Sequence, residues 1–217
     1  MPEDVKQRRR YESPRRREQA DQTRREILEA AGRQFRDRGF GVPMPDIAAE
    51  AGVVVETVYR IFGSKARLFG AVVEALLAGG TARAEVPVGE RPAIRAIAGE
   101  PDPRRQVALY AATQPGIHRR AGPLLRALRD AKASDPELTR LWSELEAWRY
   151  DGQGRFVAAL SERGALRPDR SPEEARDVTW ALCSLAVHDL LVLERGWTEG
   201  RYGTWLAAAL TRELLGD

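Results

Sequence analysis

Apolar residues recur at helical spacing along almost the whole chain, and no stretch alternates in the manner of a strand. Ile27, Leu28, Ala31 and Phe35 share one helical face. Thr23 and Glu26 have the capping-box spacing that would open that helix, and Gly39 would close it. Phe40 is expected to tuck under a second helix running from Pro43–Pro45 to Gly52, with a third over 54–62. Ser64 would cap a fourth over 65–79, with Leu68, Phe69, Val72, Val73 and Leu76 facing inward.

Residues 79–92 read as a loop and a domain boundary. A short helix over 92–98 follows, then one opened by Asp102-Pro103 that should kink or break at Pro115-Gly116, and another over 122–132. Asp135-Pro136 opens a long helix with Leu138, Leu141, Trp142, Leu145 and Trp148 at helical spacing, weakened at Gly152 and Gly154. Ser171-Pro172-Glu173-Glu174 opens a helix over 172–195 that is apolar on nearly every side from Val178 to Leu193. Such a helix must be covered all round, which one subunit's core is not expected to do. The last helix carries Tyr202, Trp205, Leu206, Ala209, Leu210 and Leu214 on one stripe. The fold class is therefore all-α.

Within residues 44–62, two short apolar faces are separated by Gly52, where a left-handed residue would make a tight turn. Ile47, Ala51, Val53, Val58 and Ile61 would face a core, with small Ala48 where the helices approach. Val54, Val55, Glu56, Thr57, Tyr59 and Arg60 would face outward. This is the pattern of a helix-turn-helix, which places its second helix in the DNA major groove.

Charge agrees with that reading. The chain has a net charge of only +3, yet residues 1–25 hold nine Lys or Arg against five Asp or Glu. A basic arm, expected to be disordered over residues 1–20, thus precedes a near-neutral body, which points to a polyanion at the N-terminal end. Deleting it should weaken DNA binding and flatten its salt dependence. No apolar run approaches the roughly 20 residues of a membrane span, and no signal sequence is expected. A lone cysteine, Cys183, rules out an internal disulfide framework and fits a cytoplasmic protein.

Enzyme chemistry finds little support. His118, His188 and Cys183 are the only residues of their types. On one helix Cys183 and His188 would stand about 140° apart, too far round to act as nucleophile and base. No metal-ligand cluster and no glycine-rich phosphate loop is present, so no cofactor or metal is expected.

Thr-Arg-Arg-Glu-Ile-Leu-Glu-Ala-Ala (23–31), Phe-Arg-Asp-Arg-Gly-Phe (35–40), Asp-Ile-Ala-Ala-Glu-Ala-Gly-Val (46–53) and Thr-Val-Tyr-Arg-Ile-Phe-Gly-Ser-Lys (57–65) resemble the DNA-binding domain of the TetR family of bacterial transcriptional regulators. Gly-Ala-Leu-Arg-Pro (164–168) and Glu-Arg-Gly-Trp (194–197) resemble one branch of it. The resemblance implies a head over 21–80 and a ligand-binding and dimerisation domain over 81–217. It further implies a homodimer joined through its last two helices, a pseudo-palindromic operator, a small-molecule effector and repression of target genes. A helical binding module with a degenerate helix-turn-helix is the alternative.

By the same resemblance Tyr59 and Lys65 are phosphate contacts, Thr57 meets backbone or base, and Thr23 stands near phosphate. Position alone makes Val55 a candidate for a thymine methyl and Glu56 for cytosine N4. Glu56 fits equally as an acid on the helix dipole. Arg60 suits phosphate, guanine or solvent. Three departures stand out: Val54 replaces a capping hydroxyl, Pro43 replaces a phosphate donor, and Ile61 replaces a polar base reader. Tyr110, His118, Trp142, Trp148, Phe156, Trp180, Cys183 and His188 are the candidates for lining an effector pocket, whose mixture fits an apolar or aromatic ligand with polar anchors.

Overall fold

The computed structural model describes residues 14–215, which form eleven α-helices joined by short turns, with no strand among them. Four make the N-terminal head: α1 (Pro14–Arg38), α2 (Met44–Glu50), α3 (Val55–Phe62) and α4 (Lys65–Ala78). Then come α5 (Thr81–Ala84), α6 (Pro92–Gly99), α7 (Pro103–Ala131) and α8 (Pro136–Glu162). The chain ends with α9 (Pro172–Leu182), α10 (Leu185–His188) and α11 (Glu199–Leu214).

α1 starts earlier than its capping-box signal. It begins at Pro14, so Thr23 and Glu26 lie inside it, and residues 14–20 of the arm expected to be disordered are helical. Arg, Glu, Gln and Ala are strong helix formers, and a helix already anchored by buried Ile27, Leu28 and Ala31 extends at little cost. The rest of the arm lies outside the described residues. Gly39 ends the helix at φ 66°. Phe40 then takes its aromatic partners from α1 and α4, with ring centroids 6.3 Å from Phe35 and 5.7 Å from Phe69, and packs against the core cluster that α2 also enters.

The head's core does not stop at the head. Ile27, Phe35, Ile47, Val58, Leu68 and Phe69 pack in one cluster with Leu124 and Leu128 of α7 and Leu138 and Leu145 of α8. The segment 79–92, expected as a plain loop, holds α5 and a 3-10 turn at Val88–Glu90. A second core joins α6, α7, α8, α9 and α11 around Val107, Phe156, Leu160, Leu206 and Leu210.

Two further helix boundaries differ from the sequence reading. α7 runs unbroken through Pro115 and Pro123, so the expected break and the separate helix over 122–132 do not occur. An internal proline costs about 3 kcal/mol. Buried Val107, Ala111, Gln114, His118, Ala121, Leu124 and Leu128 nonetheless form one continuous stripe across it, and each large apolar side chain among them contributes about 1.5–3 kcal/mol. α11 packs along this stretch, with Gly203 close against Pro115. Conversely, the single helix expected over 172–195 is broken. α9 ends at Leu182, Ser184 turns extended (ψ 153°) and caps α10 through its hydroxyl, and Asp189–Glu194 is a π-helical turn. Serine inside an apolar run is a strong N-cap, and here the cap wins.

α8 is continuous through Gly152 and Gly154. Gly154 is where α9 approaches: Arg176 lies against it, donates from Nε to the Tyr150 carbonyl (3.1 Å) and pairs with Asp151 (2.8 Å).

Candidate nucleic-acid interface

α2, Gly52 and α3 make a tight helix-turn-helix. Gly52 sits at φ 68°, its N–H donates to the Ala49 carbonyl (3.1 Å), and the Val53 N–H donates to that of Ala48 (3.0 Å). Arg38 pairs with Asp46 and Arg33 with Glu50, each at 2.6 Å, which fixes α2 on α1. Hydrogen bonds from Arg33 and Gln34 hold the Glu50 carboxyl below its usual range.

α3 divides into two faces. Val58 and Phe62 are buried, and Val55 and Ile61 are half-buried against the same core. Val55, expected on the outer face, therefore turns part of its surface inward, because it lies one helical turn before Val58. Val54, Glu56, Tyr59 and Arg60 are exposed, and Thr57 is half-buried. Tyr59 leaves 48% of its surface open and Val54 65%. Glu56, Tyr59 and Arg60 stand at i, i+3 and i+4 and so share a face.

Val54 has the backbone of an N-cap, φ −78° and ψ 149°, but no side-chain bond to the helix. Val54→Ser should supply that bond and raise stability by about 1 kcal/mol. Thermal unfolding checks this, and an unchanged or lower Tm would contradict it.

Lys65 opens α4 immediately after the Ser64 cap. Its ammonium stands 4.7 Å over the Phe40 ring, and partial burial lowers its pKa. The ring thus holds this cation at a helix N-terminus, close beyond the end of α3. Thr23 is half-buried on α1, and its neighbour Arg24 lies 4.7 Å over the Phe62 ring at the end of α3. Polar ties join this head to the rest of the chain, among them Arg25 to Glu85 (3.1 Å) and Thr81 Oγ1 to Glu29 (3.3 Å) beside α1, and two that reach α7 and α8. Ser64 Oγ donates to Glu137 of α8 (3.0 Å), and Arg120 Nε of α7 donates to the Leu76 carbonyl (3.1 Å).

The eight pocket candidates separate. Trp142 packs on the head's core beneath the Lys132 ammonium, while Trp148 and Trp180 lie at the surface. The other five gather. Tyr110 stacks on Phe156 at 4.0 Å, His118 on His188 at 4.5 Å, and Cys183 is buried beside them. Burial pushes the Cys183 thiol up to about 12, which leaves it unreactive, and raises the Tyr110 and Tyr202 hydroxyls as well. Sequence reasoning missed Tyr202 and Gln153 as members of this cluster. Tyr202 reads as one more apolar position of the last stripe, and Gln153 sits between two glycines. A polar residue at a buried position of an apolar stripe was the available signal.

Residues 27–72 match the family model of bacterial regulatory proteins, tetR family. Among curated proteins none matches the sequence. Solved structures do. A Mesorhizobium loti protein assigned to the TetR-family transcriptional regulators is similar at 20% identity and TM-score 0.66, covering 89% of this chain and 96% of that one. A transcriptional regulator from Saccharomonospora viridis, solved in complex with choline, is similar at 20% identity and TM-score 0.66, covering 90% and 99%. NalD of Pseudomonas aeruginosa, the secondary repressor of the MexAB-OprM multidrug efflux pump, is similar at 22% identity and TM-score 0.59, covering 92% and 98%. At these identities the likeness establishes the fold and nothing finer.

Proposed function

We propose that this chain, whose residues 27–72 match the tetR family model and whose fold is similar to that of solved TetR-family regulators, is a member of that family and a transcriptional repressor that binds a pseudo-palindromic operator as a homodimer and releases it on binding a small effector. One observation carries the reading. α3 is a short helix with Val58 and Phe62 anchored in the core and Glu56, Tyr59 and Arg60 presented together to the outside, beside the ring-held Lys65.

In this reading Tyr59 and Lys65 bind phosphates, with Thr23 and Thr57 beside them, while Val54, Val55, Glu56 and Arg60 face the base edges. Glu56 retains its second role, stabilising the α3 dipole. Trp180, Leu190 and Leu193 are exposed apolar residues on the segment expected to need a partner's cover. A second copy would bury them, and it would place two heads at the spacing of two half-sites. Residues 1–20 add cations against the phosphates, so deleting them lowers affinity. The slope of log K against log salt should fall by about 0.9 for every phosphate the arm had neutralised. Among the described residues no helix is long and apolar enough to cross a membrane. The reading places the protein in the cytoplasm with its DNA.

A gel shift with duplex from upstream of the protein's own gene tests this. The expected result is a discrete complex that high salt dissolves and unrelated duplex does not compete away. Equal competition by unrelated duplex would contradict sequence-specific regulation.

A further inference from the structure

Three polar rings meet in the second core, with Gln153 nearby on Tyr110, and all four side chains have buried atoms without protein hydrogen-bond partners. His118 (both ring nitrogens), His188 (Nε2), Tyr202 (hydroxyl) and Gln153 (Oε1) are each less than a tenth exposed and make no hydrogen bond there. The three rings converge, with centroids 4.5, 5.1 and 6.1 Å apart. The stacked Tyr110–Phe156 pair stands in the same core, and Gln153 reaches the Tyr110 hydroxyl. Native cores rarely leave one such group unsatisfied, so four together need an explanation.

The chemistry of the four narrows what they accept. His188 Nδ1 faces the Asp189 carboxylate at 3.4 Å, and that carboxylate also receives Arg126 (2.9 Å) and Arg129 (3.4 Å). In the neutral tautomer that donates Nδ1–H to this carboxylate, Nε2 is left an acceptor. Gln153 Oε1 is an acceptor too. Burial pushes the His118 ring down to about 3, so it is neutral, and Asp189 already has its cations. The cluster thus offers acceptors, aromatic faces and no unpaired charge.

We infer that this cluster is the recognition point for a neutral effector carrying an aromatic ring and a hydroxyl, its O–H donated to His188 Nε2 or Gln153 Oε1 and its oxygen accepting from Tyr202 or His118. The inference rests on the effector-responsive reading above and names the class of effector. Position gives it a route outward. His188 and Asp189 belong to the cluster, while Leu190 and Leu193 on the adjoining π-helical turn are exposed on the face proposed to meet the second subunit. An occupant that moves His188 moves that face.

The test uses the full chain and four probes that share one ring: phenol, benzene, benzoate and protonated benzylamine. Tryptophan fluorescence and thermal shift are read for each. Phenol should bind saturably and raise the Tm, at least about tenfold more tightly than benzene, with the two ions weaker still. Tyr202→Phe and, independently, Gln153→Met should shrink the preference for phenol over benzene while keeping the unliganded Tm within a few degrees. Benzene matching phenol, an ion exceeding it, or binding of no probe would overturn the inference, as would a crystal structure with the four groups satisfied by water alone. The same sample is assayed for DNA. A normal gel shift with no phenol response sinks only this inference, whereas absence of any shift sinks the regulator reading.

Discussion

Lys65→Ala and Tyr59→Phe should each weaken operator binding about a hundredfold without unfolding the protein. A hydrogen bond to a charged phosphate contributes about 1.5–3 kcal/mol, and a symmetric dimer loses two for each substitution. At about 1.4 kcal/mol per tenfold, even the lower figure gives two orders of magnitude. Salt separates the two variants. Removing the lysine abolishes two cationic phosphate contacts and should reduce the log–log salt slope by about 1.8, whereas losing a neutral hydroxyl should leave the slope as it was. The folding consequences are small. Tyr59 is about half exposed, and Lys65 gives up a cation–π interaction with Phe40 of about 0.5–1 kcal/mol. Fluorescence anisotropy across a salt series is the measurement. Wild-type affinity in both variants would remove the α3–α4 face from the DNA interface.

The second large effect is acid sensitivity arising from one ring. Burial, reinforced by neighbouring His188, Arg149 and Arg126, lowers the His118 pKa from 6.5 to about 3. In the unfolded chain this ring takes up its proton near 6.5, while in the folded protein it stays neutral until about 3. The unfolded state therefore binds more protons throughout that window, and stability falls as pH falls. The slope is about 1.4 kcal/mol for each pH unit, so about 2–3 kcal/mol is lost between pH 6.5 and 4.5. Carboxyls held low in the folded state, such as Glu50 and Asp169, act at lower pH. Urea unfolding at pH 7.5, 6.5, 5.5 and 4.5 should show the loss in wild type and a much flatter profile in His118→Phe. Parallel profiles would mean that His118 is not held neutral.

The head was legible because every signal in it is local. Gly52 needed a left-handed turn and Ser64 a cap, each within a few residues of what it contacts, and Ile47 and Val58 declared inward faces by helical spacing alone, although the core they enter also takes Leu124 and Leu138 from far along the chain. The rest depended on weighing terms that sequence spacing does not weigh. At Pro115 the proline penalty lost to a buried stripe running the length of α7, and the sequence shows the penalty more plainly than the stripe. At Ser184 the reverse held, and a capping hydroxyl overrode an apolar run that looked like one helix. Among the pocket candidates, residue type was a poor guide. Trp142 joins the head's core and Trp148 and Trp180 lie at the surface, while the cluster was completed by Tyr202 and Gln153, whose polar atoms an apolar stripe conceals. The α1 extension was hidden for a simpler reason: residues 15–22 are exposed, so no periodicity marked them.

A hydroxyl-radical footprint on upstream duplex bound by the full chain tests the central claim most directly. Two equivalent protected patches, one helical turn of about 34 Å or a multiple apart and related by a two-fold axis, with two chains per duplex, are the predicted result. A single patch, or uniform protection that ignores sequence, would contradict it.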